Sequence, residues 1–567
     1  MTIRNAAPIK FSPVGLSDAL DSSNVFAGAM GQLVNLIPDP TTKNLWQCRP
    51  AAIVQANFAI QGGDFSSTDF SSDFNIGFNM SAAGNGFISA LMRVGTRVFG
   101  MISTNRNPGH DEPFCYDLVS NTFLFITGVT SGNTPVSPAT TGDWVPPTMD
   151  LVGVNLIVTH PGYSGAAGVM FGWFNVSDPA NTTWQAGNTV TTLLPTPPTA
   201  VKQFFNRAYF LVNPPTGQPA AYFTDVLTLT ITDPTHILTF NDNIKLTAIG
   251  ALPLNSQLTG GTIQSLVVFK GAAQMWQITG DAAISTNPLS INAMNVATGT
   301  LAPNSICATS KGLAFIAPDG LRVIAFNGSI SDPIGDAGGG ITVPFIYAVA
   351  PSRMCADCTA KTFRVSVQNG AAVATPNQEF WYDIPRGTWS GPHTFPASQI
   401  VAYDNTFIEA PIGVLGKLFR SDSVQNSTST YVENGNQLSF TWATSMLPST
   451  QQMSENAMVE TTLNIGFPDG QQIAVYAVDE NGGIFSSVVL SATIPTTVWG
   501  QFVWGQALWQ GASNALAPRQ LKWPIPIVFQ RLSIIATGNC AQNLKIGDLM
   551  LRYQQLGYLM QQDTQVA

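Results

Sequence analysis

Residues able to do metal or nucleophilic chemistry are few in this 567-residue chain, and they are scattered. None of the four histidines, His110, His160, His236 and His393, has the H-E-x-x-H context or a partner four residues away that would bring two ring nitrogens to one metal. The triplet His110-Asp111-Glu112 is rich in ligand atoms, but neighbouring residues in extended chain point apart, and Pro and Gly surround it. Among the cysteines at 48, 115, 307, 355, 358 and 540, only Cys355 and Cys358 are close. A single C-x-x-C without a second pair is weak evidence for zinc or redox chemistry. The pair reads as free thiols flanking a turn, and the scatter of the rest gives no disulfide framework. No G-x-S-x-G nucleophile elbow or P-loop occurs. Asp319-Gly320 and Asp469-Gly470 read as turns and not as acids. The expectation is no catalytic residue, no metal and no cofactor.

The elements that would position any such residue are strands. Ile88 to Val94, a turn at Gly95-Thr96, then Arg97 to Ile102 read as one hairpin, and the pattern recurs along the chain. Leu266-Val-Val-Phe269 turns at Lys270-Gly271 into Met275-Trp-Gln-Ile278. Gly312 to Ala317 turns at Pro318-Asp319-Gly320 into Leu321 to Phe326. A second recurring element is an aromatic, then Asp or Asn, then an aliphatic, a turn and another aromatic. It stands as Tyr116-Asp117-Leu118 before Phe123, Phe174-Asn175-Val176 before Trp184, and Tyr382-Asp383-Ile384 before Trp389. In each, the Asp or Asn can bond its own turn while the aromatics pack between sheets. Asp117 and Asn175 are separated by about one kelch-sized repeat of roughly 50 residues.

From Phe87 to about Trp442 there is room for six or seven blades of this kind. Near Met446 the texture changes to clean alternation, as in Met458 to Phe467, Ile473 to Val478 and Ile484 to Leu490, which fits an antiparallel sandwich of jelly-roll type. The expected fold is all-β: a β-propeller of about six blades over residues 87–445 and a C-terminal antiparallel β-sandwich over 446–567. Residues 1–86 form an extended, proline-punctuated N-terminal segment. A pair of β-sandwiches is the competing architecture.

Within 1–86, Phe65, Phe70, Phe74 and Phe78 recur amid Ser and Asp. They belong either to a surface loop folded back on its domain or to a docking loop against another subunit. Trp499, Trp504 and Trp509 lie five apart, so successive ones leave opposite faces of a strand and at least one reaches a neighbour or loop. These seven are the candidate subunit or partner contacts.

Charged residues make up only 10% and the net charge is −9, against roughly 25% charged in average proteins. With 33 Phe and 12 Trp the chain has ample apolar surface to bury and is not disordered. Scarcity of Lys and Arg excludes a protein that grips nucleic acid by neutralising phosphates. No window approaches a membrane span, and the start, Met1 to Pro8, shows no secretory signal.

Three places in the chain resemble the tail-hub or tail-nozzle proteins of short-tailed bacteriophages, the packaged-DNA stabilisation family. They are Val34-Asn-Leu-Ile-Pro38 with Leu45-Trp-Gln-Cys-Arg-Pro50, Leu266 to Gly280 with Ala302 to Gly320, and Phe529 to Gly538 with Leu551-Arg-Tyr553. The insert at 62–78 departs from that pattern. The resemblance implies a structural, non-enzymatic virion protein: a homo-hexameric ring below the portal and its adaptor (the head-to-tail connector). Such a ring carries fibres or spikes, passes double-stranded DNA without sequence recognition, retains the packaged DNA, and is assembled in a host cytoplasm. Acidic excess suits a DNA conduit, whose walls should not hold phosphates. Two other readings stay open: a receptor- or glycan-binding tail protein, and a propeller glycosidase. The latter lacks an arginine cluster and repeated S-x-D-x-G-x-T-W turns, although Asp479 to Phe485 is a partial likeness to one.

Overall fold

A computed structural model describes residues 8–17, 29–58, 86–104, 109–136, 145–163, 168–188, 192–240, 242–253, 263–286, 288–294, 296–334, 340–368, 377–412, 414–447, 454–468, 470–491 and 516–558. The seven candidate contact residues Phe65, Phe70, Phe74, Phe78, Trp499, Trp504 and Trp509 lie outside them.

Alternating hairpins build a β-propeller of six four-stranded blades, its ring completed by one smaller three-stranded sheet, followed by an antiparallel β-sandwich. The first blade holds Ile88–Val94, Arg97–Ser103, Asp111–Asp117 and Thr122–Phe125, and the second Thr148–Val152, Asn155–Thr159, Val169–Asn175 and Gln185–Asn188. The third holds Ala200–Phe204, Arg207–Val212, Ala220–Phe223 and Ile237–Thr239, and the fourth Leu246–Pro253, Ile263–Lys270, Gln274–Thr279 and Ser290–Ala293. A smaller three-stranded sheet, Cys307–Thr309, Gly312–Ala317 and Gly320–Ala325, sits between the fourth and fifth four-stranded blades. The fifth holds Cys355–Cys358, Thr362–Val367, Gln378–Asp383 and Thr388–His393. The sixth takes Ala397–Tyr403, Thr406–Pro411 and Lys417–Asp422 from late in the chain and its outer strand, Ile53–Asn57, from near the start. The first strand of each sheet packs against the first strand of the next, and that of the sixth blade against Ile88–Val94, which closes the ring.

Local chemistry sets the blade turns. Asp117 Oδ1 accepts the N–H groups of Val119 and Ser120, Asn175 Oδ1 that of Ser177, and Asp383 Oδ1 that of Arg386, at 2.8 to 3.0 Å. All three close the third-to-fourth strand turn of a blade, as the repeated aromatic-Asx element predicts. The aromatic that follows is buried in two of the three, Trp184 and Trp389. Phe205 and Asn206 both take positive φ, 46° and 56°, the backbone that a two-residue hairpin needs to match strand twist.

Polar side chains stitch several blades to the next. Asp150 accepts the Gln203 N–H at 2.5 Å and pairs with Lys202 at 3.1 Å, and Asn213 exchanges two bonds with the Leu246 backbone. Asp357 Oδ2 accepts the Ala402 N–H at 2.7 Å, and Ser398 donates to the Ile88 carbonyl at 3.0 Å. Buried backbone groups at blade edges need such partners, and an unmet one costs about 1–3 kcal/mol.

One sheet of the sandwich contains Ser439–Thr444, Ser533–Asn539, Gln472–Val478 and Ile484–Ser491, with Ala29–Val34 joining it to the fifth blade. The other pairs Ser454–Gly466 with Lys545–Tyr558 and adds Pro8–Phe11, Leu36–Pro38, Trp46–Cys48, Ala517–Gln520 and Val528–Phe529. Trp442, Leu463, Ile473, Val475, Leu549 and Leu551 are fully buried between them. Each aliphatic side chain so removed from water contributes roughly 1.5–3 kcal/mol. N-terminal strands therefore complete both the sandwich and the last blade.

Candidate functional site in the propeller axis

Where the first strands converge they enclose a cavity of about 520 Å³. Its wall includes Met92 and Arg93 from the first blade, Met149 from the second and Lys202 from the third. Asn304 precedes the small sheet, Asp357 belongs to the fifth blade and Gln399 to the sixth. Among the described residues no aromatic side chain lines it. Its volume is that of an ordinary small-molecule site, which runs to roughly 300–1,000 Å³.

Asp357 stands in the middle of Cys355–Cys358. Its Oδ2 takes the Ala402 N–H, and its Oδ1 accepts the Cys358 N–H at 2.8 Å. Burial pushes its carboxyl up to about 6, against the downward pull of those two N–H groups and of Arg93. Arg93 stacks over Tyr403 at 4.5 Å from the ring centre and pairs with Asp404 at 3.2 Å. Lys202 is matched by Asp150. Both cations in the wall thus carry a carboxylate of their own. Asn304 Nδ2 donates to Gln399 Oε1 at 3.4 Å, while the buried Gln399 Nε2 has no partner. A buried amide N–H left open in a polar cavity is a ready donor.

A second concentration of charge is internal. Arg364 pairs with Glu379 and Glu409 and lies between the rings of Trp381 and Phe407, at 4.4 and 4.9 Å. Arg49 makes a bidentate pair with Glu433 at 2.8 and 2.7 Å. All five ionic side chains are at most 4% exposed, so this cluster ties blades to sandwich and presents nothing to a substrate.

The histidines fill structural places. His160 Nε2 bonds the Val145 carbonyl at 2.7 Å, and burial pulls its pKa down to about 4. His393 Nδ1 accepts the Asn35 N–H at 3.0 Å, and burial holds it well below its ordinary value. His236 stacks on Phe223, and His110 Nδ1 lies 3.1 Å from the Thr134 carbonyl oxygen. In the adjacent acids, Asp111 turns to Ser89. Among the described residues no three His, Cys, Asp or Glu side chains gather as metal ligands do.

Sequence reading passed over Arg93, Lys202, Asn304, Asp357 and Gln399. The signal available was an Asp at the centre of a short apolar strand, in Met149-Asp150-Leu151 and in Cys355-Ala356-Asp357-Cys358. Burying a carboxylate there is costly without a purpose.

No family model and no curated protein matches this chain. Among solved structures it is similar to an exo-β-1,3-galactanase from Phanerochaete chrysosporium with β-1,3-galactotriose, at 10% identity over 88% of this chain and 99% of that one, TM-score 0.24. The same enzyme with galactose matches at 9% identity over 83% and 96%, TM-score 0.23. A puromycin hydrolase matches at 10% identity over 64% and 59%, TM-score 0.35. At such scores the likeness lends this chain neither an activity nor a substrate.

These findings correct the tail-hub expectation. The matched structures named are enzymes and not tail proteins. The identification as a structural virion protein, its DNA-conduit function and the exclusion of enzymatic activity are withdrawn with it. The physical reason lies in the motifs. Leu266 to Gly280 is a fourth-blade hairpin, Gly312 to Ala325 a hairpin of the small sheet, and Leu532 to Gly538 a sandwich strand. Their Gly, Asp and apolar residues are the turns and core that many propellers and sandwiches require, and they specify no partner.

Proposed function

We propose that the axial cavity takes a small, neutral, hydroxyl-rich molecule, a sugar or the end of a short glycan, and that Asp357 serves it as a proton donor. The observation that carries this reading is Asp357 itself, a carboxyl in the wall of a roughly 520 Å³ cavity with its pKa raised to about 6. Such a group holds a proton close to neutral pH and can pass it to a leaving oxygen. The rest of the wall suits hydroxyls better than ions. Arg93 and Lys202 are already neutralised by Asp404 and Asp150, while Asn304 and Gln399 offer amide donors and acceptors.

Calorimetric titration with galactose, glucose and glucuronate tests the binding, and release of methylumbelliferone from its neutral glycosides tests the acid. A neutral sugar should bind, and Gln399→Ala should weaken it about tenfold, the worth of one buried hydrogen bond. Asp357→Asn should keep binding and lose turnover. Absence of any neutral-sugar binding, or binding and turnover untouched by both substitutions, would refute the reading.

A further inference from the structure

All six cysteines are buried free thiols, and the fold sorts them in a way their spacing hides. Cys355 and Cys358 stand three apart on one strand, so their side chains leave opposite faces. The Cys355 thiol donates to the Ala397 carbonyl at 3.3 Å, on the sixth blade. The Cys358 thiol turns to the small sheet, where it donates to the Ala308 carbonyl at 3.1 Å. Ala308 follows Cys307, so this contact between the small sheet and the fifth blade brings Cys307 beside Cys358.

A second pair forms across nearly the whole chain. Cys48 lies opposite Leu36 on the N-terminal strand pair. Cys540 follows Ser533–Asn539, and its Sγ stands 3.9 Å from the Asn35 carbonyl oxygen, which also accepts the Arg49 N–H at 2.9 Å. That shared carbonyl holds Cys540 beside Cys48, the residue before Arg49. Cys115 has no cysteine neighbour in its core of Phe99, Phe174 and Trp184.

We propose that Cys48 with Cys540, and Cys307 with Cys358, are sites of disulfide formation, leaving Cys115 and Cys355 as thiols. The first bridge would fasten the N-terminal strands to the end of the sandwich, and the second would join the small sheet to the fifth blade. The oxidant is a small disulfide such as oxidised glutathione. One protein thiolate attacks a glutathione sulfur and expels one glutathione thiolate. The second protein thiolate then attacks the mixed disulfide and expels the other. Two protein thiols are oxidised, one glutathione disulfide is reduced to two thiols, and the two protons leave on them. Burial disfavours the attacking thiolates, so the bridges form slowly in the folded chain and faster as it folds.

The test uses the full-length chain, incubated and refolded in oxidised glutathione. Remaining thiols are then alkylated under denaturing conditions, and the digest is read by mass spectrometry. Expected are linked peptides joining Cys48 to Cys540 and Cys307 to Cys358, with the alkyl group on Cys115 and Cys355. Digestion of the oxidised chain by thermolysin should be at least about tenfold slower than that of the reduced chain. Cys48→Ser should return Cys540 to the alkylated state and leave the other bridge intact. The wild-type map stands on its own if that variant does not fold. Six alkylated cysteines, glutathione adducts without cross-links, or a Cys355–Cys358 link would overturn the proposal.

Discussion

Replacing Arg49 by Ala isolates one fully buried ion pair of the fold. Its guanidinium is 2% exposed and meets both Glu433 oxygens at 2.8 and 2.7 Å. Its Nε donates to Asn35 Oδ1 at 2.9 Å, and Glu433 Oε1 also accepts the Ala52 N–H at 2.8 Å. Burial alone would lower the arginine's pKa, but the Glu433 carboxylate holds it above its ordinary value. Removing it leaves an unpaired carboxylate that is 4% exposed, a loss of about 3–5 kcal/mol. Arg49→Met with Glu433→Met removes both charges together and should restore most of the stability, since replacing a whole buried pair with apolar groups is often neutral. Urea unfolding followed by tryptophan fluorescence reads these two variants together with the single Arg49→Met and Glu433→Met variants that complete the cycle. The cycle should give a coupling of at least about 2 kcal/mol between the two positions. A loss under about 1 kcal/mol for Arg49→Ala, or a double variant no better than the single, would show that water reaches the pair.

Two further perturbations test the same structural logic. Arg49, Arg364, Glu379, Glu409 and Glu433 sum to one surplus negative charge, and burial raises Glu409 from 4.5 to about 8. Between those values the folded chain holds a proton that the unfolded chain has lost. Stability should therefore fall as pH rises through that window, by up to about 1.4 kcal/mol per unit. Melting curves from pH 5 to 9 should show the slope, and Glu409→Gln should flatten it; a flat wild-type curve would refute the assignment. In the second blade, a Cβ on Gly172 would lie 1.8 Å from Cζ2 of the buried Trp184. Gly172→Ala should cost about 1–3 kcal/mol and shift tryptophan emission to the red, and an unchanged spectrum and midpoint would contradict the packing.

Much of the propeller was legible because its signals are local. Gly95, Asn206 and Gly320 end strands through backbone geometry, and Asp117, Asn175 and Asp383 carry their turns within three residues. Apolar runs such as Leu266 to Phe269 mark strands buried on both faces. The axial site was not legible, since Arg93, Lys202, Asp357 and Gln399 lie far apart in the chain and none belongs to a motif. What distinguishes Asp357 from the turn aspartates is its place in the wall of the axial cavity.

By itself the sequence determined the all-β class, the blade hairpins and the change of texture near Met446, because strand periodicity and turn chemistry act over a few residues. Tertiary structure alone decided how the ring closes, with Ile53–Asn57 as the outer strand beside Lys417–Asp422. It also decided that Cys358 faces Cys307 and not Cys355, and that Asp357 looks into a cavity. Those outcomes depend on which strands pack together across hundreds of residues. Packing is cooperative and collective, and no window of the chain encodes it.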